Sequence, residues 1–208
     1  QMLVVYVLSD AGNPSPGLGL YTVYFMAALL GWVASTLQQV AAIQMPIDVP
    51  SIAALLSGYI LFLAAGQRAE IYTGRALLGA ICLAVCLAVF FIPPQWMFVV
   101  QSATASLLFA AAGAVCLRRW REQDNIGDGI TAFAALIMLV GMSAALYQWL
   151  LVGDYQLARS WSATAHSSAY VLIVMGFLAS VLIEYQQHLS HLATVDPLTR
   201  LLNRRGLE

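Results

Sequence analysis

An all-α bundle of transmembrane helices is the fold class this sequence predicts, and three observations predict it. Of its 208 residues, 61% are hydrophobic and only 9% are charged, whereas an average soluble domain is about 25% charged. A mean hydropathy of +0.81 leaves too little polar surface to cover a soluble particle of this size. The apolar residues also fall in runs of about 20, the length of a membrane-crossing helix, and the breaks between runs are rich in Pro, Gly and Asn. A soluble single-domain enzyme is thereby excluded. There is no lysine, so all nine basic residues are arginines and a retinal Schiff base is chemically excluded. The net charge of −1 predicts no nucleic-acid partner. Cys82, Cys86 and Cys116 all lie in apolar stretches, which argues against a disulfide framework.

Taken in chain order, Gln1 to Leu8 reads as the tail of an earlier helix. Six complete spans follow, at about Leu18–Ile43, Pro50–Gly66, Ala76–Ile92, Trp96–Leu117, Gly129–Val152 and Trp161–Ile183, so about seven helices joined by short loops are expected. Between them stand Asn13-Pro14-Ser15-Pro16-Gly17, Pro46 to Pro50, Pro93-Pro94 and Gly153-Asp154, all stop signals for a helix. The chain begins at Gln1 and stops at Glu208 in mid-element, so both ends read as cuts in a longer protein.

Arginine placement predicts the orientation. Arg68 and Arg75, then Arg118, Arg119 and Arg121, then Arg200, Arg204 and Arg205 all fall on one side of an alternating topology, and Arg159 stands alone on the other. The arginine-rich side of this multi-pass protein is expected to be cytoplasmic, with the C-terminus inside. Trp96, Trp149 and Trp161 lie at the outer ends of their spans, where an interfacial aromatic belt belongs.

The last span continues as helix-compatible sequence from Glu184 to Thr194. Running from Trp161 to Thr194, such a helix would be about 50 Å long at 1.5 Å per residue and would overshoot a hydrocarbon core of about 30 Å. Leu178, Leu182, Tyr185, Leu189 and Leu192 are spaced 4, 3, 4 and 3 apart, a heptad seam with polar residues between its members. It predicts a parallel homodimer; the alternative is a helix lying on its own bundle or on the membrane surface.

After the seam comes Asp196-Pro197-Leu198-Thr199-Arg200-Leu201-Leu202-Asn203-Arg204-Arg205. By itself it is a capped amphipathic helix, with Pro197 at its first position and arginines toward its C-terminal end. The residues Asp196, Leu198, Thr199, Leu201, Asn203, Arg204 and Arg205 also resemble the opening of GGDEF domains, the catalytic domains of diguanylate cyclases. The family often has Gly where Arg200 stands. The resemblance covers about a dozen residues. It implies condensation of two GTP molecules into cyclic di-GMP at a site shared by two such domains, with magnesium expected in the missing domain and no cofactor in this segment. No catalytic residue can be assigned here, since the catalytic loop would lie beyond Glu208.

The domains expected are a sensor bundle over residues 1–183, a signalling helix over 184–194 and the start of a GGDEF domain over 195–208. The function the resemblance implies is a membrane sensor and dimerisation domain, in a bacterial inner membrane, that controls a cytoplasmic cyclase. A non-enzymatic receptor or transport-related bundle, and a degenerate GGDEF receptor, are the alternatives.

Polar residues within the spans cluster toward the outer side, and polar groups in lipid are costly unless partnered or facing a cavity. His166, Gln148, Gln101, Trp149 and Tyr147 are therefore the candidate lining of a pocket for a small molecule from the periplasmic side; the alternative is interfacial solvation and interhelical hydrogen bonding. No metal site is expected. His188 and His191 read as the solvated face of the projecting helix, and Cys82 and Cys86 as buried packing. Alanine- and glycine-rich stretches such as Ala110 to Ala114 predict close helix approach. Charge inside the spans is almost absent, which argues against an ion-coupled transporter.

Overall fold

The computed structural model describes residues 17–40 and 49–194. Among these residues all regular structure is helical: α1 (Leu18–Val40), α2 (Val49–Arg68), α3 (Arg75–Ala88), α4 (Pro94–Gln123), α5 (Ile126–Tyr147) and α6 (Tyr155–Thr194), with a π-helical turn at Gln148–Val152. Five helices (α1, α2, α4, α5 with its π turn, and α6) are long and apolar enough to cross a membrane. Gln1 to Leu8 and the motif Asp196 to Arg205 lie outside the described residues.

Helix boundaries depart from the apolar runs where polar caps extend or prolines shorten them. The run Ala76–Ile92 yields only the 14 residues of α3, about 21 Å of helix against a core of about 30 Å. Beyond Ala88 the chain turns, with the Phe90 N–H bonded to the Leu87 carbonyl (3.2 Å) and the Ile92 N–H to that of Ala88 (2.9 Å). Pro93 and Pro94 follow; they have no N–H to continue the helix, and each restricts the residue before it. Pro94 instead opens α4, where its missing donor costs nothing. The Asn125 side chain accepts the Gly127 N–H (3.0 Å) and starts α5 ahead of Gly129. The Asp154 carboxylate accepts the Leu157 N–H (2.9 Å) and starts α6 at Tyr155 rather than Trp161.

Antiparallel neighbours put Arg68, Arg75, Arg118, Arg119 and Arg121 at one end of the bundle and Arg159 at the other. The tightest packing joins α5 to α6. On α5 the buried Gly127, Thr131, Ala134, Met138, Gly141 and Ala145 recur every three or four residues. A Cβ on Gly127 would sit 2.2 Å from the Ser180 nitrogen, and one on Gly141 2.3 Å from the Ala165 Cβ. Backbones this close gain the van der Waals contact that holds helices together in lipid, where no hydrophobic force does so. From α1, Tyr21 stacks on Phe177 of α6 (centroids 4.3 Å apart), and Phe25 meets Tyr170 and Phe177 edge-on. Large apolar side chains such as Leu77 and Leu83 on α3 and Phe133 and Val140 on α5 point outward. Water would penalise that surface and lipid does not.

Candidate functional site

Two groups of polar residues sit at different heights along α6. Toward the Arg159 end, α1, α2, α4 and α6 enclose a cavity of about 620 Å³, with Met142 reaching in from α5. Its aromatic wall includes Tyr24, Phe109 and Tyr170; its polar wall includes Ser57, Gln101, Ser102, Ser162, His166 and Ser167. His166 lies within hydrogen-bond distance of the Ser162 carbonyl through Nδ1 (2.9 Å). A carbonyl only accepts, so Nδ1 carries the hydrogen and Nε2 of the neutral ring keeps its lone pair. That Nε2 is buried without a hydrogen-bond partner, and so is the side-chain nitrogen of Gln101. The His166 ring stands edge-on to Phe109 at 6.4 Å. Arg159 lines the same cavity and lies over the Tyr155 ring at 6.0 Å. Among the described residues, no Asp or Glu lines the cavity and Arg159 makes no ion pair.

At the arginine-rich end, four charged groups from four helices close on one another. Arg68 of α2 donates through Nη2 to Ser180 Oγ (2.7 Å) and Glu184 Oε1 (2.5 Å), both on α6. Arg119 of α4 reaches the same Glu184 oxygen, and its Nη1 lies 3.5 Å from Asp128 Oδ2 of α5. Ser180 Oγ in turn donates to Asp128 Oδ1 (3.3 Å), and Asn125 Nδ2 donates to the Ser180 carbonyl (3.3 Å). Two guanidinium groups thus face two carboxylates. Arg68 and Asp128 are almost fully buried, and the Glu184 side chain keeps about a fifth of its exposure. A buried charge persists only where it is paired and hydrogen-bonded. Here the pairing knits α2, α4, α5 and α6 together at one level.

No family model matches this chain, and no curated protein or solved structure does either.

The sequence-predicted pocket residues separate in the structure. His166 and Gln101 line the cavity; Gln148, Trp149 and Tyr147 do not. Gln148 opens the π turn, Trp149 packs edge-on against Tyr155 (5.1 Å), and Tyr147 faces outward. The cause is the small-residue face of α5, which lies so flat on α6 that this helix contributes Met142 alone to the cavity wall. Its place is taken by α1 and α2, through residues that read as ordinary span sequence.

Along the predicted seam, Leu178 packs against the core of its own chain. Leu182, Tyr185 and Leu189 are 61%, 55% and 47% exposed, with no cover from the bundle. The side chains of Leu192, His188 and His191 lie outside the described part. Cys82 is buried and Cys86 half-buried beside Leu55 and Met97. Among the described residues, no three His, Cys, Asp or Glu side chains come together to hold a metal ion.

The ionic cluster is what sequence reading missed. Arg68 and Arg119 read as loop-flanking charges, and Glu184 as a solvated position between seam residues. Alternating topology could have revealed the cluster, because it brings the ends of α2 and α4 and the start of α5 to the level of Ser180 and Glu184, one turn apart on α6.

Proposed function

We propose that this chain is the membrane sensor and dimerisation module of a diguanylate cyclase, facing the cytoplasm with its arginine-rich end. The observation that carries the reading is the continuity of α6. One 40-residue helix lines the cavity with His166, anchors the ionic cluster with Ser180 and Glu184, and then leads toward the Asp196–Arg205 motif. At 1.5 Å per residue it is about 60 Å long, roughly twice the hydrocarbon thickness.

The seam supports pairing with a second copy over more than its predicted length. Val171 and Met175 are exposed at 55% and 57% and continue the 4-3 spacing upward from Leu178, Leu182, Tyr185 and Leu189. One apolar stripe therefore runs from the membrane-embedded part of α6 into its projecting part. Lipid can cover the first portion, but Leu189 needs a protein partner, and the same stripe of a twin helix is the complementary surface. The orientation rests on the five arginines at one end against one at the other.

In this reading, occupation of the cavity shifts α6 against α1, α2 and α4, and the ionic cluster resists or locks that shift. The movement alters how two output domains meet, each supplying half of a site that joins two GTP molecules with magnesium. The test is cyclic di-GMP formation from GTP by membranes carrying the full-length protein, in a series with one to four alanines inserted between Ile183 and Ala193. Activity that falls and recovers with a helical period supports the rod; flat activity across the series overturns it. Membranes that make no cyclic di-GMP at all remove the cyclase and leave a receptor.

A further inference from the structure

The geometry points to the chemical class of the cavity's ligand: an elongated organic monocarboxylate whose far end carries a hydroxyl. This deepens the sensor reading and rests on it. Three features specify the molecule. Among the described residues, Arg159 is the one charged side chain of the lining, and no carboxylate of theirs faces it there. A guanidinium at the exposed mouth of a cavity attracts an anion, and its planar fork suits a carboxylate. Deeper in, His166 Nε2 offers a lone pair, and on α4, near the level of Arg159, the Gln101 amide offers a hydrogen; both atoms are buried without a partner.

Buried polar atoms left unmatched cost about 1–3 kcal/mol each, so the His166 end calls for a group that donates and the Arg159–Gln101 end for one that accepts. A hydroxyl serves the first and a carboxylate the second. Arg159 and His166 are seven residues apart on α6, two turns on one face, which separates the two polar ends by about 10 Å. Tyr24, Phe109 and Tyr170 furnish an aromatic wall suited to an apolar body. The volume of about 620 Å³ lies within the range of small-molecule pockets, about 300–1,000 Å³. Neither a metal ion nor a bare phosphate would use the aromatic wall or the second polar end.

The probes are ω-hydroxyoctanoate, octanoate and octanediol, titrated against the full chain in lipid nanodiscs. The chain length of the first matches the Arg159–His166 separation; octanoate lacks the hydroxyl, and octane-1,8-diol replaces the carboxylate with a neutral hydroxyl. Wild type is expected to bind ω-hydroxyoctanoate about tenfold more tightly than either altered probe, the worth of one charge-assisted or buried hydrogen bond. Arg159→Gln should abolish the preference over octanediol and keep the preference over octanoate. His166→Phe should do the reverse, and because Arg159 is exposed at the start of α6, the first variant stays informative if the second folds poorly.

Equal binding of all three probes by wild type, or variants that weaken all three alike, overturns the assignment. Probe discrimination by a protein that makes no cyclic di-GMP keeps the assignment and removes the cyclase. Cyclic di-GMP formation with no discrimination among probes overturns the assignment alone.

Discussion

The two ends of α6 set their polar residues to different uses. At the arginine-rich end, Glu184 is held by two arginines, and Ser180 bridges Arg68 to Asp128. At the other end, His166 and Gln101 each keep a buried nitrogen unpaired beside open volume. Both arrangements lie in a protein with little polar residue to spend. The arginine-rich end also keeps buried atoms without a hydrogen-bond partner, among them Arg68 Nε and Asp128 Oδ2, but it sets charges of opposite sign from four helices against one another and has the form of a structural clamp. The other end borders open volume and has the form of a receptor site, so substitutions at the two ends should behave differently.

The largest effect is expected from Glu184→Ala. It leaves Arg68 and Arg119 facing each other's charge with a single buried carboxylate, Asp128, still in reach. Removing one member of a buried pair costs about 3–5 kcal/mol, and the partial exposure of Glu184 puts the expectation near the lower figure. Thermal unfolding in nanodiscs should show it as a clear fall in Tm. Adding Arg68→Ala should cost less than the sum of the two single changes. Simple additivity would break the clamp interpretation.

Gly127→Ala should come next. Its new Cβ would press on the Ser180 nitrogen and the Gly176 carbonyl oxygen, 2.2 and 2.4 Å away. Both are backbone atoms, which cannot rotate aside, so α5 and α6 must separate. Overpacking of this kind costs about 1–3 kcal/mol. Because Ser180 sits at the contact, the same change should loosen the ionic cluster, read as a smaller coupling between Arg68 and Glu184. An unchanged coupling would show that the helix contact and the cluster are independent.

A smaller effect on stability, with a large one on assembly, is expected from Leu182→Arg. The residue is 61% exposed and touches little of its own chain, so Tm should move little. Cross-linking between copies through a cysteine at Gln186 should fall severalfold. Efficient cross-linking in the variant would mean that pairing, if present, uses another face.

Much of this fold was legible because lipid imposes a simple rule: long apolar runs become helices, since no other backbone arrangement satisfies its hydrogen bonds there. The five membrane-length helices follow from that rule, while the shortness of α3 follows from a proline pair that ends it early. The cavity was half legible. His166 and Gln101 stand out as polar letters in apolar runs, but the part of α1 and α2 is invisible, because Tyr24 and Ser57 look like any span residue until packing turns them inward. Gln148 and Trp149 carry the same polar signal and miss the cavity, since a sequence does not reveal that Gly127 and Gly141 bring α5 flat against α6. The ionic cluster was the hardest to read. Each of its charges stands at a span end, where a charge is ordinary, and only three-dimensional proximity makes four ordinary charges into one clamp.

The smallest effect expected on stability, from His166→Phe, sharpens the comparison most. The ring is partly buried and bonds only within its own helix through Nδ1, so little tertiary interaction is lost. A phenyl ring keeps the contact with Phe109 and removes the unpaired Nε2, which offsets the loss of the Ser162 bond. The net change should stay within about 1 kcal/mol, the range of near-isosteric replacements, and Tm should hold or rise slightly. Residues retained for function rather than folding are often those whose removal stabilises. A fall in Tm comparable to that of Glu184→Ala would put His166 among the structural residues, and the distinction between the two ends of α6 would go with it.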